Sequence, residues 1–318
     1  MLKPKLHHVT IKTSRLDQMI AWYGQVIGAE VNFRDGVAAW TTNDDANHRI
    51  AFLAVPGLRD DGEKVSHNGM HHCAFEYDSF ADLMASFDRL RRHGIEPGVL
   101  AVCRPSDDPS ELVTHFVQDL GLKHFDVLVP DATHDDRPKT IAPYYKRLFD
   151  IWYDGHAGRG VDVRYVHAIL KGVLGGNSHL ESIGYGPIQT CAMMTDGALE
   201  PLDVLRIAGY QTTRTEVSIL THTFQDVTAD PLWRRAFEQA SNLCDTCKSC
   251  EYRLACGGGF LPHRWSTERG YDNPSVYCDD LKDIFGHVWQ RVAPAIRVTT
   301  DQQRLQLDQA AAEVAASA

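Results

Sequence analysis

Long apolar runs are missing from this 318-residue chain, and none approaches the roughly twenty residues that a bilayer-crossing helix needs. Cationic excess is missing too. With 32 Lys and Arg against 42 Asp and Glu, the formal net charge is −10, which argues against an electrostatic grip on nucleic acid or anionic lipid. The opening residues, Met1-Leu2-Lys3-Pro4-Lys5-Leu6-His7-His8, hold no apolar h-region, so a cytoplasmic, reduced protein is expected. Cysteine is sparse for most of the length. Only Cys73, Cys103 and Cys191 precede residue 244, and no two of them are closely spaced. What is present in bulk is ordinary: 43% hydrophobic and 23% charged residues, enough chain for two or three domains.

Five of the eight cysteines crowd into one stretch, Cys244-x2-Cys247-x2-Cys250-x5-Cys256-Gly257-Gly258-Gly259, with Cys278 some twenty residues on. Thiolates at this spacing form a soft-metal site, and four of them suit tetrahedral zinc or an iron–sulfur cluster. The glycines let backbone pass where a Cβ would clash. A disulfide knot would need an oxidising compartment. The run from Cys247 to Gly259, followed by Pro262-His263-Arg264-Trp265 and Asn273-Pro274-Ser275-Val276-Tyr277-Cys278, resembles the SPASM tail of radical SAM peptide-modifying maturases of the FxsB-like and XYE-like group. The resemblance implies an auxiliary [4Fe–4S] cluster on Cys247, Cys250, Cys256 and Cys278. Cys244 is then a spare ligand or a bystander, and His263-Arg264 are expected beside the cluster pocket.

In the first hundred residues, Leu6 to Lys12 alternates like a half-buried strand, and Leu16 to Ile27 reads as an amphipathic helix stopped by Gly28. Strand-like pieces follow at Ala29–Phe33, Val37–Thr41 and Ile50–Val55. The pattern then restarts with Met70–Tyr77 and a helix from Phe80 to His93, an internal repeat about sixty-five residues apart. Repeated β-α-β-β-β units with His on equivalent strands resemble the vicinal oxygen chelate superfamily. The words His8-Val9-Thr10, Trp22-Tyr23-Gly24, His48-Arg49-Ile50-Ala51 and His72-Cys73-Ala74-Phe75-Glu76-Tyr77 are most similar to its extradiol dioxygenase-like branch. That resemblance implies His8 and His72 as ligands of a divalent ion, Fe2+ first, with Mn2+ or Zn2+ as alternatives. It offers His48 and Tyr77 as catalytic candidates. The family's third ligand, a Glu on a last strand, is absent. Glu76 shares a face with His72 by the period of two, and Asp126 or Asp131 are further candidates.

From Gly98 the chain alternates strands and helices: Val99–Cys103, Asp108–Leu120, Phe125–Val129, a helix carrying Tyr144 to Trp152, strand Val161–Val166 and a helix from His167 to Leu174. Leu128-Val129-Pro130-Asp131-Ala132-Thr133-His134-Asp135-Asp136 and Thr195-Asp196-Gly197 resemble the rear half of a radical SAM partial barrel. The Cys-x3-Cys-x2-Cys loop that would hold the SAM-binding cluster is lacking, so no SAM cleavage is expected. Cys191 is expected to be a small buried apolar residue. The cluster Asp131, His134, Asp135 and Asp136 reads equally as a ligand loop or as a capped turn.

The expected fold is mixed α/β. A βαβββ-type vicinal oxygen chelate domain spans 1–97, a partial (β/α) barrel remnant 98–235, a cysteine-rich SPASM-like domain 236–295, and a helical or disordered tail 296–318. The function expected is that of a non-haem metal oxidoreductase, dioxygenase-like, acting on a small molecule or a peptide- or carrier-bound side chain. The alternative is a non-catalytic substrate- or peptide-binding component of a natural-product pathway, with a structural zinc or iron–sulfur site. Neither reading involves nucleic acid or membrane, and a homodimer is compatible with both.

Overall fold

The computed structural model describes residues 8–55, 57–58, 75–178, 180–186, 188, 190–194, 196–209 and 212–296. The chain divides into two compact units, Met1–Pro97 and Gly98–Ala318. Among the described residues no helix is long and apolar enough to cross a membrane. His72 and Cys73 lie outside the described residues, as do residues 297–318 of the expected tail.

The first unit is built from β1 (Val9–Thr13), α1 (Leu16–Ile27), β2 (Glu30–Arg34), β3 (Ala38–Thr42), β4 (Ile50–Ala54) and α2 (Phe80–Arg92). Its sheet runs β1-β4-β3-β2, with β1 parallel to β4 and the other pairs antiparallel. The helical spacing of Leu16, Met19, Ile20, Tyr23 and Ile27 puts these side chains on one stripe, and they pack on Ala39, Ile50 and Phe52 of the sheet. Gly28, at φ 68°, ends α1 in a left-handed turn. Ser79 caps α2 by accepting the Asp82 amide. From α2, Arg89 donates to the carbonyls of Gln25 and Val26 at the end of α1, at 3.2 and 3.1 Å. The strand expected over Met70–Tyr77 is not formed at residues 75–77, and its earlier part lies outside the described residues.

The second unit carries a parallel sheet in the order β5-β6-β7, with β5 at Val99–Val102, β6 at His124–Leu128 and β7 at Asp162–Val163. The first crossover is α3 (Pro109–Val113), which widens into a π-helical turn over Thr114–Asp119. The second is α4 (Ala142–Gly155), whose Tyr145 hydroxyl donates to the Val127 carbonyl at 2.9 Å. The third helix, α5, spans Arg164–Val173 and so begins three residues before its expected start. The cause is remote in sequence: the buried Asp126 carboxylate accepts the Tyr165 amide at 2.9 Å and pairs with Arg164 at 2.8 Å, drawing the chain into a helix.

A short hairpin, β8 (Ala192–Met193) and β9 (Leu199–Glu200), follows. Cys191 precedes it and is exposed, not buried as expected, because a two-residue strand covers nothing. Then come α6 (Pro231–Phe237), α7 (Asp245–Lys248), α8 (Arg253–Cys256) and a helix α9 over 278–296. Ion pairs tie α9 to α4: Lys146–Asp283 at 2.7 Å, Asp150 with His287 at 2.9 Å and with Arg291 at 3.0 Å, and Asp154 with Arg291. Asp280 accepts the amides of Ile141 and Ala142, both at 2.9 Å, and so caps α4 from α9.

Candidate functional site

Four of the cysteines converge. Cys247 comes from α7, Cys250 from the turn after it, Cys256 from the end of α8 and Cys278 from the first turn of α9, and all four line one cavity. Burial pushes the thiols of Cys247 and Cys256 up to about 12, so without a metal they stay protonated at neutral pH. Cys244 is buried beside Cys247 and hydrogen-bonded to it, packed with Leu243, and does not line the cavity. Among the described residues no three His, Cys, Asp or Glu side chains form a group suited to a single ion.

Gly257, Gly258 and Gly259 follow Cys256 at φ 60°, 84° and 71°, a left-handed run that only glycine adopts without strain. A Cβ on Gly257 would stand 2.0 Å from the Gly184 carbonyl oxygen. The fully buried Arg264 holds this turn. Its guanidinium donates to the carbonyls of Gly257 (2.7 Å), Gly258 (3.0 Å), Gly259 (2.7 Å) and Gln239 (2.6 Å). Burial pulls its pKa down while Cys256, Cys247 and Cys244 pull it up, so Arg264 is also a fixed cation beside the thiols. A shaped loop, four thiols lining one cavity and a fixed cation suit a multinuclear thiolate-held centre rather than a single ion.

A second cavity, of about 430 Å3, opens over the carboxyl ends of β5 and β6. Leu100, Val102, Leu128, Asp131, Arg164, Phe260, His263 and Tyr277 are among its walls. His263 is 4% exposed and its Nε2 has no hydrogen-bond partner, while its ring stands edge-on to Phe260 and Tyr277 at 5.3 and 5.2 Å. Burial alone lowers the His263 pKa to about 4. Neutral His263 therefore stabilises the fold fully above the unfolded value near 6.5, and that contribution fades as pH falls toward about 4. Unfolding free energies from urea titrations at pH 7.5 down to 4 should fall by an amount on the order of 3 kcal/mol from this residue, and His263→Phe should flatten that part of the profile. The sequence places His263 in a recognisable Pro-His-Arg-Trp word, but nothing in the word shows that it faces this cavity.

The acidic cluster is a structural staple. Asp135 accepts from the Thr267 amide (3.0 Å) and hydroxyl (2.6 Å), Asp136 accepts from the Thr133 amide (2.8 Å), and His134 Nε2 meets the Pro274 carbonyl at 2.8 Å. Only Asp131 of the four lines the cavity; burial first and Asp203 second raise its pKa. Asp126 serves α5 and is not free to ligate an ion.

In the first unit, His8 lies beside His48, ring centroids 4.4 Å apart, and His48 stacks on Trp40 at 5.3 Å. Glu76 is exposed, and the strand that would have set it on one face with His72 does not form at its position. The Tyr77 hydroxyl is 2.6 Å from Ser86 Oγ, which also accepts from Arg89 at 2.9 Å, so Tyr77 fastens α2.

The fold and sequence define a composite protein. Residues 5–119 match the glyoxalase/bleomycin resistance protein/dioxygenase superfamily. Biphenyl-2,3-diol 1,2-dioxygenase 2 of Rhodococcus globerulus is 35% identical over 96 residues, 30% of this chain and 50% of that protein. Biphenyl-2,3-diol 1,2-dioxygenase 3 of the same organism is 33% identical over the same length and coverage. The chain spans about half the length of these dioxygenases. The cysteine-type anaerobic sulfatase-maturating enzyme of Clostridium perfringens is 23% identical over 251 residues, 74% of this chain and 66% of that protein. The solved structure of native anSMEcpe with bound AdoMet superposes with a TM-score of 0.55 at 20% identity, covering 70% of this chain and 63% of that one. The same protein with bound AdoMet and Cp18Cys peptide gives 0.55 over 69% and 63%. The chain is thus a chimera: a glyoxalase-superfamily module, then a region resembling a radical SAM maturase.

Proposed function

We propose that the protein is a metal-dependent, dioxygenase-like oxidoreductase of a peptide- or natural-product-modifying pathway that does not cleave SAM. Its first module would hold Fe2+, or Mn2+ or Zn2+, through His8 and His72, with the third ligand supplied by a group other than a strand-borne Glu76. The SPASM-like segment at 236–295, behind a partial barrel at 98–235, would hold a [4Fe–4S] cluster, with zinc as the alternative, on Cys247, Cys250, Cys256 and Cys278. The convergence of those four thiols on one cavity is the observation that carries this reading. A divalent ion in the first module would supply Lewis acidity toward a substrate with vicinal oxygens. His48, packed between His8 and Trp40, would hold or release a proton beside that site, while the Tyr77 hydroxyl is engaged with Ser86.

Anaerobic iron, zinc and sulfide analysis tests it. The expected result is two metal populations, of which the His8→Ala/His72→Ala double variant loses the one without sulfide. Unchanged metal content in that variant, or activity on candidate catechols surviving iron removal, defeats the proposal. A second reading, favoured by the cavity around His263, is a non-catalytic component that binds a peptide substrate and presents it to another enzyme. Metal confined to the cysteine centre would support it.

A further inference from the structure

The parallel sheet of the second unit treats its two faces differently. On one, Phe125 and Val127 are buried, and Tyr145 of α4 bonds to the Val127 carbonyl. On the other, Leu100 and Val102 of β5 are 63% and 58% exposed and line the cavity that His263 closes. Parallel strands ordinarily bury both faces. Among the described residues β5 pairs only with β6, so its outer edge is open. The Cys103 amide donates to the Leu128 carbonyl of β6, and strand groups alternate in direction. The amides and carbonyls of Leu100 and Val102 therefore point to the open edge.

Three unmet demands meet here: unpaired edge groups, an apolar floor and the unpartnered Nε2 of His263. A small molecule would fill the cavity and leave the edge bare. A second copy pairing through β5 would cover the edge and send its own Leu100 and Val102 toward its own cavity, leaving His263 unmet. An extended chain answers all three. We propose that a peptide segment adds as a strand to the outer edge of β5 and directs one hydrogen-bonding side chain to His263. The carboxylate of Asp131 at the wall, with Arg164 already paired to Asp126, favours a basic residue flanking that segment. This rests on the second reading above and specifies its ligand and mode of capture.

The probe is a fluorescein-labelled heptapeptide, Lys-Val-Thr-Val-Thr-Val-Lys, titrated with the full chain and followed by anisotropy. Binding is expected, weakened about tenfold when alternate peptide nitrogens are methylated. Val102→Pro removes an edge amide while leaving the β6 ladder intact, and should cost about tenfold as well. His263→Phe keeps the ring and should cost about fivefold for peptides whose inward side chain is Thr, and nothing when that residue is Val. Circular dichroism and iron content on the same samples report folding. Absence of binding, equal binding of the methylated peptide, or a wild-type dimer that Val102→Pro dissociates overturns the inference. None of these outcomes alters the metal inventory that tests the first reading.

Discussion

Cys256→Ala or Cys278→Ala should empty the cysteine centre, whereas Cys244→Ala should leave it filled. Anaerobically prepared wild-type protein is expected to carry about four iron and about four sulfide there, with thiolate-to-iron absorbance near roughly 400 nm. The Cys256 and Cys278 variants should retain less than about one of each. The contrast follows from position, since Cys256 and Cys278 line the shared cavity and Cys244 packs beside Cys247 away from it. A protein whose unloaded thiols stay protonated should also lose thermal stability when the centre is stripped, because metal binding at such a site is part of folding. Full iron and sulfide in either variant would show the ligand set to be wrong. A colourless wild type with one zinc per chain would replace the cluster with a zinc site.

Arg264→Met should be nearly as damaging. The side chain is 1% exposed and bridges four carbonyls, three of them in the glycine turn behind Cys256. Removing the guanidinium strands those acceptors and withdraws the cation facing the thiols, a loss of about 3–5 kcal/mol by analogy with breaking a buried pair. Arg264→Lys should recover little, since an ammonium cannot fork to several carbonyls in one plane. Urea unfolding together with iron retention reads both effects. Wild-type stability and iron in Arg264→Met would mean that the turn holds itself.

The parts of this protein legible from sequence are those written in local chemistry. The stripe from Leu16 to Ile27 and its Gly28 stop place α1, and the cysteine-rich word from Cys247 to Cys278 picks out the four thiols that line one cavity. Where a distant residue decides, the sequence is silent. Helix α5 starts at Arg164 because Asp126 reaches it from the neighbouring strand, and β7 is shortened to two residues. Period-two counting sets Glu76 on one strand face with His72, but no strand forms at residues 75–77 and the Tyr77 hydroxyl lies against Ser86 on α2. The cavity at His263 is assembled from eight separated stretches, and no single one announces it.

Hydrogen bonds join the cysteine cavity to the His263 cavity. The Gly184 amide donates to the Cys256 carbonyl at 2.8 Å, and Gln239, which accepts from Arg264 through its own carbonyl, also holds the Glu181 carbonyl at 2.8 Å. The loop at 180–184, part of which lines the His263 cavity, is thereby fastened to the backbone of Cys256. A cluster held on Cys256, as proposed, would on its oxidative loss loosen the mouth of the His263 cavity, and a peptide seated there would in turn slow the escape of iron.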